Sequence, residues 1–483
     1  MNLADTVRIN ALNRGGEPAI RCADTTLSYL DAWTTIEALA AELHEAGVRD
    51  GDRVGLAMKD HPKHLLAHYA VARLSAVIVP IDHRWTNPEK AAAATTFATR
   101  LVVADDNTEI AGVRTVTLSG TASELSSELP PWNRSADQPL LISLSSGTTG
   151  KPKGAIVTHE NLYERFVSQW TAIGFGSRDC FALLTPLYFG AGRSFGLCLL
   201  AAGGTVHIAP PPMSPEQIVA VVKSPSISAT FLPPTLLRRL LPLAGDAPLL
   251  PNLQYLLVSG EPLYAAEAAE CRQKISPNLI GYYASSEGGG ISVLTSSEFR
   301  EHSATVGKPT FRTEVEIVDG DGQLVQDGTV GRLRYRGPGV ATRFVDSEGH
   351  EHAAEAGGWF YPGDLAEKLP TGHLALRGRD KDVIIRGGVN VYPAEVESVL
   401  LQHGSVSECS VVGFADSHRG QLVVACIVDD PAVNDDALAE FCKERLAPYK
   451  VPSAFVRFAE LPKSNSGKID KKMLTLELGE NIT

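Results

Sequence analysis

Leu144-Ser145-Ser146-Gly147-Thr148-Thr149-Gly150-Lys151-Pro152-Lys153-Gly154 is the stretch from which the rest of the chain can be read. It combines three glycines, four hydroxyl side chains and two lysines. Glycines let backbone N–H groups approach an anion, hydroxyls add donors, and lysines add charge. That is the chemistry of a loop that wraps phosphates. A flexible surface loop is the alternative for a lone Gly/Ser/Thr cluster. The usual P-loop spacing is absent, because only two residues separate Gly147 from Gly150 and a proline follows Lys151. The apolar run Leu140–Leu144 ahead of it predicts a strand, and Thr158–Trp170 behind it predicts a helix.

Outward from the loop, apolar strand runs alternate with amphipathic segments. Helices are predicted over Tyr29–Ala46 and Lys63–Leu74, with strands at Arg53–Met58 and Ala76–Pro80. After the loop the rhythm continues through Leu183–Arg193, an apolar helix, Ser228–Thr235 and Leu253–Glu261. This predicts an α/β fold of mostly parallel sheets, with the site at the strand C-termini. From Gly307 to Val345 short alternating strands with Asp-Gly turns predict a small antiparallel, barrel-like β unit. The charged stretch Gly378–Asp382 marks an expected boundary. Residues 1–378 would form a large N-terminal unit. Residues 379–483 would form a small α+β unit, with helices at Pro393–His403 and Asp435–Leu446 and strands at Val406–Phe414 and Leu422–Val428.

Composition bounds the function. The 483 residues are 44% hydrophobic and 21% charged, as in an ordinary globular protein. A net charge of −12 argues against a general nucleic-acid or anionic-membrane binder, while leaving room for a local basic loop. No signal peptide and no apolar run of ~20 residues are present, so a cytoplasmic protein without a membrane span is expected. Seven cysteines without a C-x-x-C pair suit reduced thiols. His61, His64 and His68 share one helix face, but no carboxylate or cysteine accompanies them. They read as packing or surface histidines rather than a metal site.

Several polar residues end buried-looking strands. Glu287, after Tyr283-Ala284-Ser285-Ser286, can hold a magnesium ion or its water; a solvated loop glutamate is the alternative. Asp364, after Pro362-Gly363, can accept hydrogen bonds from a ribose diol or close an Asx turn. Lys468 lies in a polar tail, where lysines are usually only solvated.

Taken together and in order, these strings resemble the acyl-adenylate-forming enzymes, the AMP-dependent synthetases and ligases, and in particular their acyl- and aryl-CoA ligases. The resemblance spans Leu144 to Lys468. It implies that Ser145, Ser146, Gly147, Thr148, Thr149, Gly150, Lys151 and Lys153 hold the pyrophosphate end of ATP. Gly260, Glu261 and Pro262 would form the adenine-side turn with Ser259, and Tyr283 and Ser286 would contribute to nucleotide binding. Asp364 and Arg379 would contact the ribose, and Glu287 would carry magnesium. Lys381 would be the hinge, and Arg386–Asn390 would line a pantetheine tunnel. Lys468 would bridge the acyl carboxylate and the α-phosphate, with Glu287 and Thr148 as its catalytic companions.

The implied reaction joins a small carboxylic acid to AMP, using ATP and Mg2+ and releasing pyrophosphate. The acyl group then passes to coenzyme A. A stand-alone adenylating enzyme that loads a carrier-protein thiol in trans, or another nucleophile such as an amine, is the alternative. A non-catalytic nucleotide-binding regulator is disfavoured by Lys468, Glu287 and Asp364. A monomer or homodimer is expected.

Two departures concern the acid pocket. The family string Pro-Leu-Phe-His is here Pro186-Leu187-Tyr188-Phe189, which has no imidazole. Arg193 follows, and Gly288 and Gly289 are expected to remove side chains near the same pocket. Together with Phe189 these predict an acid whose second polar or anionic group pairs with Arg193. An arginine at the helix surface is the other reading.

Overall fold

The computed structural model of the chain describes residues 1–105, 109–121, 129–146, 152–210, 213–354, 357–416, 420–430, 433–463 and 469–481. Runs such as Val77–Pro80 and Leu101–Ala104 are buried along their whole length and lack polar alternation. Such runs pack helices on both faces and so favour parallel pairing.

Two large sheets result. In the first, of nine strands, Pro18–Cys22, Thr205–Ile208, Cys180–Leu183, Ala229–Phe231, Tyr255–Val258 and Leu279–Ser285 are joined side by side in parallel. In the second, of eight, Leu101–Ala104, Arg53–Ala57, Val77–Pro80 and Pro139–Ser146 lie adjacent and parallel.

Helices Pro62–Arg73 and Gly190–Ala202 are buried over most of their length and lie in one core that draws residues from both sheets. His64 and His68 are therefore buried, with rings stacked 5.3 Å apart. His68 Nδ1–H donates to the His64 carbonyl over 2.9 Å. His61 instead caps the helix. The three do not form a metal-ligand cluster among the described residues. The single such grouping there is Asp346, Glu348 and His350, at an exposed hairpin tip.

The region after the loop differs from expectation. Pro152–Thr158 is a strand, antiparallel to Pro139–Ser146, and the helix starts only at His159. A strand that pairs back on Pro139–Ser146 therefore precedes the helix. Thr158 caps the helix by accepting the Asn161 N–H. The expected barrel-like unit is a four-stranded antiparallel sheet, Glu314–Val318, Gly331–Arg336, Asp364–Lys368 and Leu374–Arg379. Arg343–Val345 and Glu351–Ala353 leave it to extend the eight-stranded sheet.

Beyond Arg379 a short 3-10 turn, Asp380–Asp382, leads to a five-stranded sheet. Its long hairpin, Val406–Asp416 with Gly420–Asp429, packs on helices Pro393–Leu400, Asp435–Lys443 and Lys471–Asn481. The two apolar clusters of this region contain no residue before Ile384. No helix of the described residues is long and apolar enough to cross a membrane. All seven cysteines are unpaired.

Candidate active site

Strand Leu279–Ser285 turns back into the antiparallel strand Gly289–Leu294, and the turn between them carries Ser286 and Glu287. Its backbone is held from three sides. Ser285 Oγ accepts the N–H groups of Glu287 (3.2 Å) and Gly288 (3.1 Å) and pairs with the buried Tyr335 hydroxyl. Ala341 N–H donates to the Glu287 carbonyl over 2.9 Å. Arg165, from helix His159–Ile173, reaches the same carbonyl with Nη2 at 2.6 Å and the Gly339 carbonyl with Nε at 2.8 Å. Its Nη1 lies 3.5 Å from the Ser286 carbonyl. Burial lowers the Arg165 pKa, while Tyr335, Tyr282 and Glu287 oppose that. The half-buried Glu287 carboxylate has no hydrogen bond or ion pair among the described residues. A carboxylate on so constrained a turn is free for a ligand or a cation, and the magnesium expected with ATP fits it.

Gly288 and Gly289 make room for side chains packed against this turn. A Cβ on Gly288 would overlap the Tyr335 ring, and one on Gly289 would lie 2.8 Å from Arg165 Cδ. Gly289 also has φ +72°, where side chains are strained. These glycines admit Tyr335 and Arg165 to the turn.

The second focus is Asp364, which is buried at the start of a strand directly opposite Arg379. Tyr283 Oη donates to its Oδ2 over 2.5 Å, and Arg379 Nε lies 3.0 Å from its Oδ1. Arg379 Nη1 also donates to the Pro362 carbonyl over 2.6 Å. Burial, then the Asp364 charge, holds the Tyr283 phenol well above its ordinary value, so it stays a neutral donor. Tyr335 links the two foci, because both Glu287 and Asp364 act on its hydroxyl electrostatically.

The turn after strand Tyr255–Val258 carries Gly260, at φ +96°, then Glu261 and Pro262. Thr235 donates to Glu261 over 2.6 Å. Arg238 lies 3.7 Å from Glu261 and donates to the Pro262 carbonyl over 3.4 Å.

Phe189 is the N-cap of helix Gly190–Ala202 and packs partly buried on the core. Arg193 is not at the surface: it is 4% exposed. Its Nη1 donates to the carbonyls of Tyr188 (2.9 Å) and Leu187 (3.3 Å), and no carboxylate pairs with it among the described residues. Burial and nearby Arg165 bring its pKa down to about 10. Asp60 accepts the Leu187 N–H over 2.8 Å and so fixes the same segment from the other side.

Of the remaining sequence-predicted residues, Ser145 and Ser146 end strand Pro139–Ser146, and Lys153 is exposed in the strand opposite. Ser286 is exposed on its turn, and Lys381 is exposed in the 3-10 turn. Gly147, Thr148, Thr149, Gly150, Lys151 and Lys468 lie outside the described residues. Arg165, Ser285 and Tyr335 escaped the sequence reading. Only Ser285 had a local signal, as a hydroxyl two residues before Glu287.

The pattern of the AMP-binding enzyme family matches residues 7–345, and that of its C-terminal domain matches residues 395–468. The chain belongs to the AMP-binding enzyme family. This AMP-binding enzyme is 31% identical over 467 residues to a feruloyl-CoA synthase of an Amycolatopsis species, covering 94% of each chain. It is 28% identical to a 2-succinylbenzoate–CoA ligase of Bacillus licheniformis, over 94% of this chain and 96% of that one. Among solved structures, o-succinylbenzoate CoA synthetase of Bacillus subtilis, in complex with its acyl-adenylate intermediate, superposes with a TM-score of 0.87. The two are 27% identical and 97% of each chain is covered. The same Bacillus enzyme with ATP and magnesium ion gives 0.86, at 27% identity over 96% of this chain and 98% of that one.

Proposed function

We propose that this protein is an acid–thiol ligase. It joins a small aryl or short-to-medium acyl carboxylic acid to AMP, releases pyrophosphate, and passes the acyl group to coenzyme A. The observation that carries the reading is the pairing of two foci flanking Tyr335. A free carboxylate, Glu287, sits on a rigid turn, and a buried carboxylate, Asp364, is poised by Tyr283 and Arg379. Relatives that make feruloyl- and succinylbenzoyl-CoA thioesters support it.

The chemistry follows from charge. A carboxylate must approach a polyphosphate, so two anions meet and their repulsion has to be neutralised at fixed positions. Magnesium, when bound with ATP, supplies part of that neutralisation, and Glu287 is the residue that would hold it. Asp364 fixes the ribose end, Ser259–Pro262 the adenine side, and Ser145–Gly154 the departing pyrophosphate. Lys468 neutralises the acid carboxylate and α-phosphate as they react. Displacement of AMP by a thiol needs Lys468 withdrawn, which rotation of residues 379–483 about Lys381 against residues 1–378 provides. A cytoplasmic location suits the unpaired cysteines.

Arg193 supports an acid with a second acceptor group. A buried guanidinium that meets only carbonyls among the described residues is incompletely compensated, and an anion or acceptor of the substrate would complete it.

The test is pyrophosphate release across an acid library that includes ferulate and 2-succinylbenzoate, with and without coenzyme A. Release together with a coenzyme A thioester is expected. Release without a thioester points to a carrier thiol or amine acceptor instead, and no release with any acid refutes adenylation. Lys468→Ala should abolish adenylation yet spare thioester formation from preformed adenylate. Arg193→Ala should change the acid preference; an unchanged ranking removes its assigned role.

A further inference from the structure

One chain of polar contacts crosses from the large unit to the C-terminal one, and nothing in the reaction just described uses it. Tyr264 is the N-cap residue of helix Ala265–Lys274, two residues beyond Pro262 in the predicted adenine-side turn. Its hydroxyl donates over 3.0 Å to Oε2 of Glu397, on helix Pro393–Leu400 of the C-terminal unit. Glu397 is 7% exposed. Its other oxygen accepts Lys471 Nζ and the Val411 N–H, each over 2.8 Å. Lys471 opens helix Lys471–Asn481 and stands three residues after Lys468 in the sequence.

On the large-unit side the contacts run back to the nucleotide turn. Glu267 accepts the Tyr264 N–H over 3.1 Å and pairs with Arg238 Nε at 2.6 Å. Arg238 is the residue that holds Glu261 and the Pro262 carbonyl. The predicted adenine-side turn and the start of helix Lys471–Asn481 are thus joined through the buried Glu397 carboxylate.

In the same pose the hairpin of Ile384–Arg386 and Val389–Val391 keeps apolar side chains exposed. Ile385 and Val389, on the hairpin expected to line the pantetheine tunnel, are 54% and 43% exposed. Apolar side chains on a thiol channel belong against the large unit when the thiol enters. The pose with Tyr264 on Glu397 is therefore the one that precedes that step.

We propose that Tyr264 and Glu397 form a latch that holds the C-terminal unit in its adenylating pose, with Glu397 tied within that unit to Lys471 and Val411. The hydrogen bond of Tyr264 is the part that breaks when the unit turns; the Lys471 and Val411 bonds travel with it. The proposal rests on the two-pose reading above.

Full-length Tyr264→Phe tests it by two readouts. The first is the ratio of half-reactions: pyrophosphate release with ferulate or 2-succinylbenzoate as the acid, against thioester formation from the preformed adenylate and coenzyme A. Loss of a buried hydrogen bond to a carboxylate should slow adenylation roughly tenfold, with thioester formation unchanged or faster. The second needs no acid: trypsin cleavage at the exposed hinge residues Arg379 and Lys381 should speed up several-fold with an unchanged melting temperature. Glu397→Gln keeps an acceptor for Tyr264 but weakens the Lys471 pair, so it should slow adenylation while changing hinge cleavage less than Tyr264→Phe. Equal loss in both half-reactions, or hinge cleavage at the parent rate in Tyr264→Phe, overturns the latch. If the parent itself releases no pyrophosphate with either acid, the activity reading fails with that acid set, and hinge cleavage alone decides the latch.

Discussion

Arg165→Met tests whether the Glu287 turn is held by a residue that itself faces no ligand. Methionine keeps the aliphatic stem against which Gly289 and Gly339 pack, and removes only the guanidinium. Two well-formed bonds are lost, to the carbonyls of Glu287 (2.6 Å) and Gly339 (2.8 Å); the third, at 3.5 Å, counts for little. A hydrogen bond from a charged donor contributes about 1.5–3 kcal/mol. The Glu287 carbonyl keeps the Ala341 N–H, so its loss is partly covered. Removing the cost of burying a guanidinium offsets a further part. The net expectation is a destabilisation of about 2–4 kcal/mol, concentrated at the turn.

The functional consequence is separable. A turn that no longer fixes Glu287 to within an ångström should lower the rate of adenylation about 10²-fold. Pyrophosphate release per folded molecule is the assay, with the folded fraction taken from thermal unfolding. Arg165→Lys, which can reach one carbonyl at a time, should fall between Met and the parent. If Arg165→Met loses activity only in proportion to its unfolded fraction, the turn does not depend on Arg165 and the reasoning is refuted.

Gly288→Ala should destabilise the protein by about 1–3 kcal/mol, because its Cβ meets the buried Tyr335 ring; a melting temperature equal to the parent's would mean the ring can move aside. Asp364→Asn leaves Arg379 without its counter-charge and should lower kcat/KM for ATP about 10–100-fold, mostly through KM. An unchanged KM for ATP would contradict a role at the ribose. His159 accepts the Leu3 N–H at Nδ1 over 3.0 Å, and burial pulls its pKa from 6.5 down to about 4. The unfolded chain therefore binds the extra proton first, and stability falls as pH drops from 6.5 towards 4, by up to ~3 kcal/mol. Denaturant unfolding of His159→Gln should lack that component; a parallel pH dependence in the variant would assign it to other groups.

The parallel sheets were legible because a strand covered on both faces must be apolar throughout, and Val77–Pro80 and Tyr255–Val258 have no other way to fold. Strand Pro152–Thr158 was hidden because it starts with Pro-Lys-Gly, which reads as loop, and is made a strand only by its hairpin partner. The antiparallel region was legible from its Asp-Gly turns. Which sheet Arg343–Val345 would join was not, since that depends on a pairing with residues nearly two hundred positions away.

At the site the difference is sharper, because sequence identifies polar residues without saying which of them are already satisfied. Arg165 reads as one more charge on an amphipathic helix, yet its hydrogen bonds fall on the backbone of the Glu287 turn. Ser285 is spent on two N–H groups of the same turn. Glu287 has no partner among the described residues, and Arg193 has carbonyls but no counter-charge. A group with its partners complete can only position others. A group left incomplete at the mouth of a nucleotide site is a candidate to complete its interaction with what binds there. Gly288 and Gly289 make room for the Tyr335 and Arg165 side chains that hold the turn. Glu287 and Arg193 stay as the two side chains whose electrostatics a nucleotide and an acid would complete.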